Sequence, residues 1–154
     1  MTYDISNKNT LVTGANRGIG KAIVESFLEH GASKVYAGVR TLDKADALVA
    51  QFGEKVVPVD IDYDKPASIK AAAKTAGDAH VVVSNAGVLI GASVMDEDVI
   101  KQFQTELNIN VYGLIHMAQA FAPVLKRNGG GAFVQLNSIA SLSSFPRATY
   151  PASK

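Results

Sequence analysis

Strand-length apolar runs alternate with helix-period segments along this chain, and a glycine turn follows the first run. That alternation constrains the fold more than any other feature. Leu11-Val12 reads as a first strand. Ile19 to Glu29 carries Ala22, Ile23 and Phe27 at helical spacing, and Gly31 can end it. Lys34 to Val39 reads as a second strand, and Asp43 to Phe52 as a helix with Ala47 and Leu48 inward, closed by Gly53. Lys55 to Val59 is a third strand. Asp64, then Pro66 near the first helical position, opens a helix that runs to about Ala76. Ala79 to Val83 is nearly all apolar, as a parallel strand buried on both faces should be. Two helices follow, roughly Asp96 to Glu106 and Val111 to Arg127, with Pro123 expected to kink the second. Asn128-Gly129-Gly130-Gly131 breaks it, and Ala132 to Leu136 is a fifth strand.

This order predicts an α/β fold, a doubly wound parallel sheet with helices on both faces and right-handed crossovers. A length of 154 residues suits one domain, residues 1–154. The net charge of +1 argues against nucleic acid or an anionic membrane as the main partner. The absence of cysteine excludes disulfides and thiolate metal sites and fits a cytoplasmic location. Met1 to Asn9 is polar and lacks the apolar core of a signal peptide. The best candidate for a membrane span is interrupted by Asn85, Gly87 and Asp96.

Five places carry chemistry. Thr13-Gly14-Ala15-Asn16-Arg17-Gly18-Ile19-Gly20 sits between the first strand and the first helix. Glycines there let the backbone turn sharply and approach a pyrophosphate, which the next helix meets with its N-terminal amides. A tight turn with no ligand is the alternative. The second strand ends at Arg40, where an acid would accept bonds from the ribose hydroxyls of NAD. Arg40 together with Arg17 in the glycine turn favours the extra phosphate of NADP(H), although either arginine alone could be a solvated surface charge. Ser84-Asn85-Ala86-Gly87 lies at the carboxyl end of the fourth strand, where ligands of open α/β sheets bind. Asn137-Ser138 follows the fifth strand, and a serine hydroxyl there can bond a substrate carbonyl; Ser141, Ser143 and Ser144 have no such claim. Finally, Tyr150 and Lys154 are four apart and share a helix face. An ammonium near a phenol favours the phenolate, which makes the tyrosine usable as an acid or base. His30, His80 and His116 lack a second ligand at suitable spacing and are assigned structural roles.

These motifs, with Asn110-Val111-Tyr112-Gly113 and Tyr150-Pro151-Ala152-Ser153-Lys154, resemble the short-chain dehydrogenase/reductase family in order and spacing across the whole chain. Ser84, where the family usually has asparagine, and Pro151 are departures. The resemblance implies a Rossmann-type three-layer α/β/α sandwich and hydride transfer between NADP(H) and a carbonyl or alcohol substrate. It implies Tyr150 as general acid or base, Lys154 as its tuning cation and a ribose ligand, Ser138 on the substrate carbonyl, and Asn110 holding a water in a proton relay. It places the cofactor on Gly14, Asn16, Arg17, Gly18, Ile19, Gly20, Arg40, Asn85, Ala86, Gly87, Tyr150 and Lys154, with Asp60 and Ile61 at adenine. The family's chains continue past the lysine. The chain is therefore expected to be an N-terminal part, truncated within the active-site helix, with its C-terminal part missing. On that expectation a nucleotide-binding module without turnover, or a non-catalytic fragment, is the alternative function. The stripe Val111, Leu114, Ile115, Ala118, Phe121 and Leu125 is expected to pack partly on the sheet and partly in a homodimer or homotetramer interface if the chain is complete. Leu142, Phe145, Pro146 and Ala148 suggest a partly apolar pocket wall.

Overall fold

The chain's structure, a computed structural model, describes residues 3–143 and 148–154. Five parallel strands build one sheet: β1 (Asn9–Thr13), β2 (Lys34–Val39), β3 (Val56–Asp60), β4 (Val81–Ser84) and β5 (Ala132–Gln135). Their order is β3-β2-β1-β4-β5. Register is set by pairs such as Leu11 with Tyr36 and with Val82. Pro58 sits in β3, an edge strand, where a residue without an N–H is tolerated.

The helices are α1 (Gly18–Glu29), α2 (Asp46–Phe52), α3 (Pro66–Thr75), α4 (Val99–Glu106), α5 (Gly113–Arg127) and the short α6 (Thr149–Ser153). The start of the expected Asp43–Phe52 helix is a 3-10 turn, Leu42–Ala45. Successive strand residues point to opposite faces. Leu11, Tyr36 and Val82 therefore pack on one side with Ile69 of α3 and Met117 and Phe121 of α5. Val12, Val35, Ala37 and Val83 pack on the other with Val24 of α1 and Leu48 of α2. Fully burying a side chain such as Phe121 contributes about 1.5–3 kcal/mol.

Three expectations change. A sandwich with its C-terminal part missing is not what these residues form: five strands with helices over both faces make a three-layer α/β/α domain. The two helices expected over 96–127 are one continuous run. α4 passes into α5 through a π-helical segment, Leu107–Tyr112, whose wider turn moves side chains around the axis. The buried stripe of α5 is Gly113, Met117, Phe121, Val124 and Leu125, while Ile115 stays 46% exposed. The helix continues across Pro123, which is exposed. Among the described residues, no helix is long and apolar enough to cross a membrane.

Candidate active site

In this strand order the chain leaves β1 toward β2 on one side and returns to β4 on the other. The crevice beyond the carboxyl ends of β1 and β4 is the topological switch point, where open α/β sheets bind ligands. The glycine turn ends β1 there, and Ser84 to Gly87 ends β4.

Thr13 joins the two. Its Oγ1 accepts the amides of Asn85 and Ala86, each at 3.0 Å, and its carbonyl accepts Asn85 Nδ2 at 2.8 Å. Gly14 and Gly18 turn with φ of +63° and +54°, a region that penalises a Cβ. A Cβ on Gly20 would overlap the Gly14 carbonyl and lie 2.6 Å from Asn85 Nδ2. The turn is thus packed against Asn85 on one side. On the other, Gly18 has nothing within 4 Å of its Cβ position, so the amides at the start of α1 stand open to an approaching group. This cradle fits a dinucleotide pyrophosphate.

The loop after β4 is splinted by the long helix and α6. Asn110 Oδ1 accepts Val88 N at 2.9 Å, and its Nδ2 donates to Val88 O at 2.9 Å and to Ser153 Oγ at 2.8 Å. Ser153 Oγ in turn donates to Tyr150 O at 2.8 Å. Glu106, wholly buried, takes the amides of Ile90 and Gly91 on Oε1 at 2.8 and 2.9 Å. Its Oε2 has no hydrogen-bond partner among the described residues. Thr149 Oγ1 accepts Ala92 N at 2.9 Å.

Tyr150 and Lys154 then fall beside this loop. Lys154 Nζ lies 6.0 Å from the Tyr150 ring centre, bonds Leu136 O at 3.5 Å, and sits 3.3 Å from where a Cβ of Gly87 would be. Together with Ile19, Asn85, Gly87, Val88, Leu89, Leu136 and Asn137, they line a cleft of about 190 Å³.

The remaining site residues are distributed as follows. Asn16 is half-buried in the glycine turn, and Arg17 and Arg40 are exposed at the ends of that turn and of β2. Asp60 is exposed at the end of β3, whereas the Ile61 side chain is core, under Gly38. Burial alone would raise the neighbouring Asp62 carboxyl. The Lys65 ammonium at 3.0 Å, the Asp64 amide and the Arg40 charge outweigh that and hold it below the usual carboxylate range. The Asn110 side chain is committed to Val88 and Ser153, with one acceptor site of Oδ1 left over. Ser138 Oγ accepts Ala140 N at 3.2 Å, capping the turn Ile139–Ser141; its neighbour Asn137 is the residue that lines the cleft. Leu142 and Ala148 are exposed and do not line it. Ser144, Phe145 and Pro146 lie outside the described residues. His30 bonds Ser26 O through Nδ1 at the end of α1. His80 precedes β4, with Nδ1 buried and unpartnered among the described residues.

Val88, Leu89, Leu136, Glu106, Thr149 and Tyr63 escape sequence reasoning, and Asn137 is singled out there only as the neighbour of Ser138. Only Glu106, an acid four residues before Asn110, carries a signal of position.

The profile of the family described as short chain dehydrogenase matches residues 8–154. The chain belongs to that family. It is 32% identical over 152 residues to human short-chain dehydrogenase/reductase 3, covering 94% of this chain and 50% of that protein. A short-chain dehydrogenase from Burkholderia cenocepacia, solved in complex with NADP, superposes with a TM-score of 0.89 at 36% identity, over 98% of this chain and 62% of that one. A 7α-hydroxysteroid dehydrogenase solved with NADH and 7-oxo glycochenodeoxycholic acid gives 0.86 at 26% identity, over 97% and 60%. The short-chain dehydrogenase match runs through Lys154, and the superpositions take in nearly all of this chain. The expectation of an N-terminal part with an incomplete sandwich is thereby corrected to a three-layer domain that carries the family match from residue 8 through Lys154. As a matter of length, the chain spans about half to three fifths of the curated relatives it matches, 50% and 61% for two of them.

Proposed function

We propose that this chain transfers a hydride between NADP(H) and a carbonyl or alcohol substrate. The observation that carries this is one cleft at the sheet's switch point, lined together by Asn85, Gly87, Tyr150 and Lys154. The nicotinamide supplies the hydride chemistry. The protein binds, orients and moves the proton. Gly14, Asn16, Gly18, Ile19 and Gly20 present backbone to the pyrophosphate, and Arg17 and Arg40 receive the 2′-phosphate. Asp60 and the Ile61 backbone border adenine. Asn85, Ala86, Gly87 and Lys154 hold the nicotinamide ribose.

Tyr150 OH gives its proton to the carbonyl oxygen in reduction and takes it back in oxidation. The Lys154 ammonium stabilises the negative charge left on the phenol oxygen. Ser138 Oγ accepts from Ala140 N, which leaves its own proton available to steady the developing oxyanion. Asn110 fixes the geometry by clamping Val88 to Ser153 and hence to Tyr150.

The test is NADPH consumption with a panel of ketones and aldehydes. Tyr150→Phe should abolish reduction while NADPH still binds, because only the transferable proton is removed. Lys154→Ala should damage both binding and turnover. Wild-type rates in the Tyr150→Phe protein would overturn the mechanism.

A further inference from the structure

We propose that Tyr63 is a positioning residue for the cofactor cleft, acting through Thr13 on the backbone of Asn85 and Ala86. The proposal rests on the cofactor reading above and adds a part that neither glycine turn nor catalytic motif contains.

The hydrogen-bond count gives the chain a direction. A hydroxyl has one proton and two acceptor sites. Thr13 Oγ1 spends both acceptor sites on the amides of Asn85 and Ala86. Its proton goes to Tyr63 OH at 3.0 Å, nearer than the 3.5 Å to Val83 O. Tyr63 OH then donates to Ser84 Oγ at 3.0 Å. All three side chains are buried, at 0% exposure for Thr13, 7% for Tyr63 and 4% for Ser84. Burial pushes the Tyr63 phenol up, against the smaller pull of Ser84 and Thr13, so it remains a protonated donor. Removing its hydroxyl would free Thr13 to rotate, and the amides it holds belong to the loop that lines the cleft.

The Tyr63 ring is seated as firmly as its hydroxyl. It lies over Gly113, where a Cβ would overlap it. Gly113 directly follows the π-helical segment that presents Asn110. One side chain therefore touches both the strand ends that hold the loop and the helix that splints it. The Tyr63 hydroxyl bridges Thr13 at the end of β1 and Ser84 at the end of β4, each at 3.0 Å.

The test uses the whole chain, first without nucleotide. In Tyr63→Phe, amide hydrogen exchange at Asn85 and Ala86 should quicken, while amides of β3 and α2 exchange as in the native chain. NADPH affinity by fluorescence titration should fall about tenfold, as for one lost hydrogen bond, with kcat little changed. Ser84→Ala, whose hydroxyl has Tyr63 OH as its partner among the described residues, should give a smaller shift. The double variant should match Tyr63→Phe alone, because both changes cut one chain. If Tyr63→Phe fails to fold, Ser84→Ala carries the same exchange test. Native exchange at Asn85 and Ala86, or additive effects in the double variant, would overturn the proposal. Faster exchange in a chain that does not bind NADPH would refute the cofactor reading and uphold the role of Tyr63.

Discussion

Replacing Asn110 by alanine should be among the costliest single changes in this chain. The side chain is 5% exposed and makes three hydrogen bonds of 2.8–2.9 Å, two with the Val88 peptide and one with Ser153. Alanine leaves a buried N–H, a carbonyl and a hydroxyl short of a partner. At about 1 kcal/mol for each bond, with orphaned partners adding to the cost, the loss is about 3 kcal/mol. For a domain of this size that lowers Tm by roughly 6–12 °C. Circular dichroism on heating measures it.

Asn110→Asp separates the donor role from the acceptor role. The Oδ1 bond to Val88 N can persist, but a second carboxylate oxygen now faces Val88 O and Ser153 Oγ. The folded state should therefore favour the protonated acid and raise its pKa above the unfolded value of about 4. A raised carboxyl contributes its stability below the unfolded pKa and loses it as pH rises through the folded one. The Asp variant should be nearest the native chain in acid and fall away toward neutrality. A loss below about 1 kcal/mol for Asn110→Ala, or a pH-independent deficit for Asn110→Asp, would refute the reasoning.

Two other outcomes follow from the structure. Arg40→Asp replaces an exposed cation with a carboxylate that repels the 2′-phosphate and can accept ribose hydroxyl bonds, so it should reverse a native preference for NADPH over NADH; equal native affinities by fluorescence titration would refute the assignment. Burial, then the hydrogen bond to Asp78 and its charge, pushes the Tyr36 phenol up to about 12. Its contribution is present below the unfolded value of about 10 and is lost as pH rises through the folded one. Tyr36→Phe should accordingly show a shallower fall in stability across that alkaline window in denaturant titrations, and an unchanged slope would count against it.

The sequence by itself determined what depends on near neighbours. Strand and helix periods, the glycine turn after β1 and the one-turn spacing of Tyr150 and Lys154 are local, because backbone geometry repeats every two or 3.6 residues. They sufficed for the α/β fold and for the crevice where a ligand belongs. Tertiary structure decided what depends on partners far apart in the chain. Thr13 meets Tyr63 across 50 residues and Asn85 across 72. Asn110 meets Ser153 across 43. Such bonds leave no periodic trace, since nothing in the spacing of a buried hydroxyl or amide says which strand end will face it. The continuous helix was hidden for a related reason. Its π-helical turn moves Asn110 off the ordinary helical stripe, and only the demand of the Val88 peptide and Ser153 for partners shows why that turn is there. Tyr63 reads as an ordinary residue in sequence and Glu106 only as an acid four residues before Asn110; packing places Glu106 under the loop after β4 and the Tyr63 hydroxyl between the side chains of Thr13 and Ser84.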